Sequence, residues 1–418
     1  MLLYHTRDGE NTMRAGPSLL SLLLAVGLLV GAVGCSAQRA EKPARSLENI
    51  PLEPYQAELL EIAFDAASAM PVHPHVENRS RTQETVVKAC LELEQPLRAL
   101  RYIEQIDNWR RGAGYADLAF YCAQHGFPTK AASYIELAAR TSQEAEDWRK
   151  DRIKIKISET YTYMGQTEAA AQFERGVGAS ELGKVNRVKA MICPADSFDA
   201  EIAALERLVS VRHFDILKGA LAAYAELFNR FYADPKRRAL VEERMRASWG
   251  SMPVSIRIDL LADLADFSLA HADQAKAVEL VDEAETLIDA ASWQPRLVIP
   301  VLAGLTELRF RAGDTERART ELQDVLSLFD AKRERIVNIY RAETLCSIAE
   351  AFRAMGGTAV ALDLYGRAIE AGIENPNSRP RADDLAATCC SMALHRVEPD
   401  AELMSRIRQI RDGLGDPW

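Results

Sequence analysis

The chain has 418 residues, of which 48% are hydrophobic and 27% charged, a composition typical of folded proteins rather than disordered ones. Its 61 Asp and Glu outnumber its 51 Lys and Arg, so the formal net charge is −10. That charge, with no block of basic residues, argues against a broad phosphate-binding surface, and we expect no nucleic-acid partner.

The first predicted element is a signal peptide over residues 1–34. Residues 19–33, LLSLLLAVGLLVGAV, carry no charge, and Arg14 precedes them. A basic start before an apolar core that ends in small residues is typical of a secretory signal. The run is shorter than the roughly 20 residues of a membrane-spanning helix. A start at Met13 would remove two acidic residues that are unusual in such a leader.

Cys35 follows directly, in the sequence AVGC, which resembles the lipobox of bacterial lipoproteins. The resemblance implies that the chain is cut before Cys35 and that this cysteine carries diacylglycerol and a further acyl chain such as palmitate. Ser36 then implies an outer-membrane protein that faces the periplasm and contacts the membrane through its lipid anchor. An ordinary cleaved signal and an uncleaved anchor stay open as alternatives.

Residues 35–53 are predicted to form a polar tether between the lipid and the folded body. They include Pro43 and Pro51, and the stretch from residue 36 to residue 53 could span at most about 60 Å. The remaining cysteines show no CxxC or zinc-ligand spacing, so we expect no metal site and no cofactor.

The body contains repeated helix hairpins. YADLAFYCAQHGFPTKAASYIELA, from Tyr115, and LCSIAEAFRAMGGTAVALDLYGRA, from Leu345, share apolar residues at offsets 0, 3, 4 and 7, glycine at 11, alanine at 16 and a larger residue at 20. The first four offsets place an apolar stripe on a first helix. Glycine suits the left-handed residue that ends this helix, and the small alanine lets a second helix pack closely. Because neither helix buries its stripe alone, neighbouring hairpins must stack.

Further segments keep this pattern with losses, and they begin at Gln83, Lys154, Leu261 and Leu302. In two of them Glu94 and Ala272 replace the glycine. In a third, Ala169 and Phe173 arrive one residue early, which predicts a shorter turn.

The repeat region is predicted to cover residues 54–375. A long gap separates the third and fourth of the six clear repeats, and its length predicts about two further hairpins. We expect irregular structure there, within residues 178–212. Residues 376–418 are predicted to form capping helices and a tail, because their sequence is more polar.

The segments GGTAVALDLYGRA and GDTERARTELQDV resemble the tetratricopeptide repeat, and the resemblance covers roughly residues 80–375. It implies an elongated, right-handed superhelix whose first helices line a concave groove for peptides or protein segments. Other helical-hairpin solenoids, such as HEAT-like repeats, stay open. The predicted fold class is therefore an all-α solenoid of stacked antiparallel helix hairpins.

The resemblance also implies which residues face the groove. These candidates are Phe120, Gln124, Glu159, Tyr163, Asp259, Asp266, Glu307, Arg311, Glu343, Glu350 and Arg353. Acids outnumber bases among those in the C-terminal half, which would suit a basic partner segment. The alternative is an ordinary solvated face.

Tryptophans recur just before predicted first helices, at Trp109, Trp148, Trp249 and Trp293. We expect each ring to pack between neighbouring hairpins, because a tryptophan buries a large apolar area. The alternative is that these rings present aromatic faces to sugars or peptides.

The chain contains no nucleophile elbow, phosphate-binding loop or HExxH motif, and we expect that it is not an enzyme. The sequence favours a membrane-anchored scaffold or adaptor that binds a protein or peptide segment in a bacterial cell-envelope assembly. The alternative is a periplasmic all-helical protein that binds or processes a ligand or glycan.

Overall fold

The computed structural model describes residues 46–211 and 213–418. The predicted signal, Cys35 and the tether up to residue 45 lie outside the described residues. Within the part that is described, no helix combines the length and the apolar character needed to cross a membrane.

The described chain is helical throughout and contains no strand. Its helices are α1 (Pro54–Ala69), α2 (Val72–Glu92), α3 (Pro96–Ile103), α4 (Arg110–Gln124), α5 (Pro128–Glu144), α6 (Asp147–Tyr163), α7 (Thr167–Glu174), α8 (Ala179–Met191), α9 (Phe198–Ser210), α10 (Phe214–Arg230), α11 (Pro235–Ser248), α12 (Val254–Ala270), α13 (Gln274–Asp289), α14 (Pro295–Arg311), α15 (Thr315–Lys332), α16 (Arg341–Ala354), α17 (Thr358–Ile373), α18 (Ser378–Leu394) and α19 (Ala401–Asp412).

From α2 onward these helices alternate as first and second members of hairpins. The even-numbered helices from α2 to α16 are first helices, and each of them except α8 packs against the helix that follows it. α9 packs instead against α10 and α11. Each hairpin packs on the next, and one large hydrophobic core runs through the array. Ile155, Val177 and Val185 form a small separate cluster at α6 and α8. The predicted all-α solenoid of stacked hairpins is confirmed.

The turns inside the hairpins use the left-handed conformation that the repeat pattern predicts. Gly126, Gly165, Gly313 and Gly356 have φ between 73° and 96°. Glu94 and Ala272 take the same place without glycine and still adopt φ of 55° and 58°. The turn geometry is therefore set by the hairpin, and glycine is the residue that adopts it most easily.

The small residue at offset 16 is buried in every clear repeat. Ala99, Ala131, Ala277, Ala318 and Ala361 are fully buried, and Ala170 is 3% exposed. The predicted shorter turn after α6 is wrong, because Ala170 rather than Ala169 occupies the buried position. The turn around Gly165 has the same length as the turn around Gly126.

The segment 178–212, predicted to be irregular, contains the helices α8 and α9, but α9 packs against α10 and α11 rather than against α8. Its apolar stripe is weak because α8 packs on α10 through glycine. A Cβ atom built on Gly219 would lie 2.8 Å from the Cα atom of Gly183, so the two backbones touch. Close glycine contact replaces the large apolar residues that a periodicity search detects.

The two ends of the array meet, so the expected elongated superhelix is wrong for residues 46–418. α1 packs along α18 in the place of a second helix, and α18 also packs against α2. Gln56 donates a hydrogen bond to the carbonyl of Ala393 over 2.8 Å, and Thr82 bonds to Asp383. The contacts between successive first helices therefore form a closed ring.

This closure changes the role of the C-terminal helices. The sequence predicted that residues 376–418 cap the array, but α18 is a ninth first helix between α16 and α2. Its cysteines Cys389 and Cys390 are fully buried. α19 lies outside it, where Arg408 pairs with Glu58 over 2.6 Å.

Candidate functional site

The inner surface of the ring is formed by its nine first helices. Successive first helices pack against one another all round the ring, more closely than successive second helices do. At the usual spacing of packed helices, nine axes lie on a circle about 26 Å across, which leaves an opening of about 15 Å. All the predicted groove residues lie on first helices, namely α4, α6, α12, α14 and α16.

The candidates on α4 and α6 form an aromatic contact beside a charged cluster. The rings of Phe120 and Tyr163 meet edge to face with centroids 5.4 Å apart, and Gln124 is exposed near them. This pair joins two successive first helices, so it stabilises the ring as well as lining it.

Glu159 lies within the charged cluster, next to residues that the sequence did not single out. The amine of Lys156 contacts the carboxylate of Asp117, and Arg187 donates to Glu226 over 2.8 Å. Burial, together with the Asp117 carboxylate, raises the pKa of Glu159 despite the opposing charge of Lys156. These groups join α4, α6, α8 and α10 by electrostatic contacts.

The candidates on α12 and α14 form a second group. Arg311 contacts Asp266 over 2.7 Å and Glu307 over 4.0 Å. Asp259 is exposed on the same helix as Asp266. Because one arginine faces several carboxylates here, this part of the inner surface is acidic.

The candidates on α16 form a third group, and Glu343 is exposed among them. Glu350 accepts a hydrogen bond from Ser391 on α18, and the hydroxyls of Ser391 and Tyr365 lie 2.7 Å apart. Glu350 thus helps to fix α18 in the ring, while Glu343 reaches solvent.

Sequence reasoning missed the inner-surface residues of α2, α8, α10 and α18. Glu84 is buried in contact with Arg110. Burial alone would raise the pKa of Glu84, but Lys88 and Arg110 lower it more. The register of α2 was available from its repeat pattern, but its contact with α18 was not, because those helices lie about 300 residues apart in the chain.

The tryptophans behave as expected at three of the four positions. Trp109 and Trp249 are buried, and Trp293 is partly buried with its indole nitrogen 3.0 Å from the carbonyl oxygen of Ile288. Trp148 is 46% exposed, with its ring edge to face against Trp109. The prediction that each ring is packed between hairpins is therefore wrong for Trp148.

Two small cavities lie among the described residues. One of about 10 Å³ lies between α17, α18 and α19, and a shallow cleft of about 160 Å³ lies beside Leu97 and Arg98. No group of three or more His, Cys, Asp or Glu in residues 46–211 and 213–418 is arranged to hold a metal ion. All six described cysteines are buried and free, and burial raises the pKa of Cys90 to about 12.

No protein-family model and no curated protein matches the chain.

Proposed function

We propose that this protein is a lipid-anchored scaffold or adaptor that binds a protein or peptide segment in a bacterial cell-envelope assembly. The observation that supports it is the inner surface of the ring, which is long, charged and reached by solvent at Asp259 and Glu343. Its opening of about 15 Å suits an extended chain or one helix rather than a folded domain.

The acidic part of the inner surface, on α12, α14 and α16, would hold a basic stretch of that segment. Asp259, Asp266, Glu307, Glu343 and Glu350 all lie on these three helices. Many modest contacts along such a surface add up to useful affinity, and complementary charge speeds encounter. A lipid on Cys35 would keep the scaffold at the outer membrane and raise its effective concentration there.

Cross-linking in the native envelope tests the scaffold. We would extract the full chain with detergent through a C-terminal tag and identify linked peptides by mass spectrometry. We expect one recurrent protein partner, linked to residues of the first helices through a basic peptide. Links only between copies of this chain would contradict the proposal.

The lipid anchor has its own test, the substitution Cys35→Ser. We expect the body to stay folded, by circular dichroism, while the protein moves from the membrane to the soluble fraction. Ser36→Ala is the control. This protein should stay in the membrane fraction because the thiol of Cys35 is intact. A Cys35→Ser protein that still sediments with membranes would contradict the anchor.

The alternative function is a periplasmic protein that binds or processes a ligand or glycan. Ring closure favours it, because nine first helices surround one central opening. A sugar or metabolite that co-purifies with the protein, together with the absence of a protein partner, would support this alternative over the scaffold.

A further inference from the structure

The ring has two edges with different chemistry. At the turn edge, each first helix passes into its second helix through a short turn, such as Leu93–Gln95. At the loop edge, each second helix leads to the next first helix. The chain enters at the turn edge, since the amide of Ile50 donates to the carbonyl of Glu94 over 3.1 Å.

Exposed apolar side chains concentrate at the loop edge. Eight large hydrophobic residues of the described chain are exposed, and five of these lie at this edge: Trp148, Val211, Phe214, Leu297 and Val337. Scattered single apolar residues are normal on a surface, but their collection at one edge is a feature of an interaction surface.

Two of these residues belong to one local patch, where the start of α14 meets the connection from α15 to α16. The guanidinium carbon of Arg296 lies 4.5 Å from the centre of the Tyr340 ring, which joins the two segments. Leu297 is 46% exposed beside Arg296, and Val337 is 57% exposed. We call Arg296, Leu297, Arg335, Val337 and Tyr340 the loop-edge patch.

The loop-edge patch is positively charged, and not all of its arginines form ion pairs. Arg333 and Arg341, in or directly after the same connection, contact Glu374 and the exposed Glu334, and Arg341 reaches Glu374 over 2.6 Å. The four arginines of this region therefore outnumber its two carboxylates. Arg335 is exposed and makes no ion pair with the described residues, and Arg296 bonds to the side chain of Gln294. The apolar centre, Leu297 and Val337, is therefore flanked by Arg296 and Arg335, whose N–H groups can donate hydrogen bonds to a carboxylate of a partner.

We propose that the loop-edge patch docks an acidic segment of a protein partner, with an apolar side chain of that segment seated on Leu297 and Val337. This inference rests on the proposed scaffold function and adds a second contact surface, separate from the acidic inner surface. Arginine binds carboxylates through two parallel hydrogen bonds, and burial of the apolar centre excludes water around them.

Site-specific photo-cross-linking in the native envelope tests this proposal on the full chain. p-Benzoylphenylalanine would replace Val337, and separately Val360 and Asp259. Val360 is a matched valine, 40% exposed at the start of α17, and Asp259 reports on the inner surface. We expect a protein adduct at Val337 and none at Val360, with the linked partner peptide rich in Asp and Glu.

A charge-reversal pair completes the experiment. Arg335→Glu should lower the Val337 adduct about tenfold, as loss of a good ionic contact does. Arg207→Glu, the same change at an exposed arginine of α9, should leave the adduct unchanged. Equal losses in both variants would overturn the proposal.

The outcomes separate this proposal from the scaffold itself. Protein adducts at Asp259 but not at Val337 would overturn the loop-edge patch and leave the scaffold standing. A basic linked peptide, or lipid as the sole adduct at Val337, would also overturn the patch. No protein adduct at any position would remove both proposals.

Discussion

Single residues in the hairpin turns adopt a conformation that most side chains avoid. Ala272 has φ of 58° and no glycine to ease it. A left-handed residue with a Cβ atom costs roughly 1–2 kcal/mol. Ala272→Gly should therefore raise the free energy of unfolding by about 1 kcal/mol, despite the greater freedom of glycine when unfolded.

Urea denaturation measures this change, and Ala290→Gly is its control. Ala290 ends α13 with φ of −74°, so glycine gives it no relief and should lower stability slightly. A gain in both variants, or in neither, would mean that the left-handed turn is not strained.

Arg309 is a fully buried arginine at a repeat position that is otherwise apolar. It contacts Asp282 over 2.8 Å, Glu285 over 2.7 Å and Glu321 over 2.9 Å. Arg309→Met should lower the free energy of unfolding by about 1–3 kcal/mol, because these partly exposed carboxylates lose their charged hydrogen bonds to the buried guanidinium but keep Arg317. Thermal and urea unfolding of the purified protein measure the loss.

Arg317→Met is the matched control, since Arg317 contacts the same three carboxylates but is 48% exposed. Its loss should change stability by less than about 1 kcal/mol. If the two variants lose equal stability, burial is not what makes Arg309 important.

Among the helices, the close packing of α8 on α10 depends on direct contact between their backbones at Gly183 and Gly219. Gly219→Ala would place a Cβ atom 2.8 Å from the backbone of Gly183, so the helices must separate. We expect a loss of about 1–3 kcal/mol in thermal unfolding.

Gly366→Ala is the control. Gly366 lies within α17, where an added Cβ atom would meet nothing within 4 Å, so the change should be neutral or stabilising because alanine favours helices. A Gly219→Ala protein as stable as the parent would show that the two helices do not need the close approach.

The hairpins themselves could be predicted from the sequence, and the reason is local. Apolar offsets and glycine turns indicate contacts between residues within about 25 positions of each other in the chain. The pairing of α4 with α5 and of α16 with α17 could therefore be predicted. α8 could not be predicted in this way, because its contact with α10 runs through Gly183 and Gly219 rather than through large apolar side chains. In the candidate site, the sequence pattern correctly placed Phe120 and Tyr163 on successive first helices, where their rings meet. Closure of the ring could not be predicted, because it depends on the contact between α1 and α18, which no local pattern encodes.

At the scale of the whole molecule, ring closure couples the two ends of the chain. Gln56→Ala removes the hydrogen bond to Ala393, whose carbonyl keeps a backbone hydrogen bond from Arg396, so the loss should cost about 0.5–1.5 kcal/mol. In the Gln56→Ala protein we expect hydrogen exchange in α18 to become faster than in the parent, while exchange in α5 stays the same. Mass spectrometry of peptides measures both helices.

The control is Gln105→Ala, which removes a bond from an exposed side chain to Arg101 beside it. It should leave exchange in α18 unchanged. Unchanged exchange in the Gln56→Ala protein would mean that this bond does not hold the ring closed.

α1 has a mechanical consequence because of its position. It is the first helix after the chain enters at residue 46, and it is also the helix that completes the last hairpin. Tension applied to the chain before residue 46 first meets the hydrogen bonds of Asn49 and Ile50 to Leu97 and Glu94, and only then reaches α1 and pulls it along α18. Once those bonds break, the helix that bears the load is the one that keeps the ring shut, so the ring opens between α1 and α18.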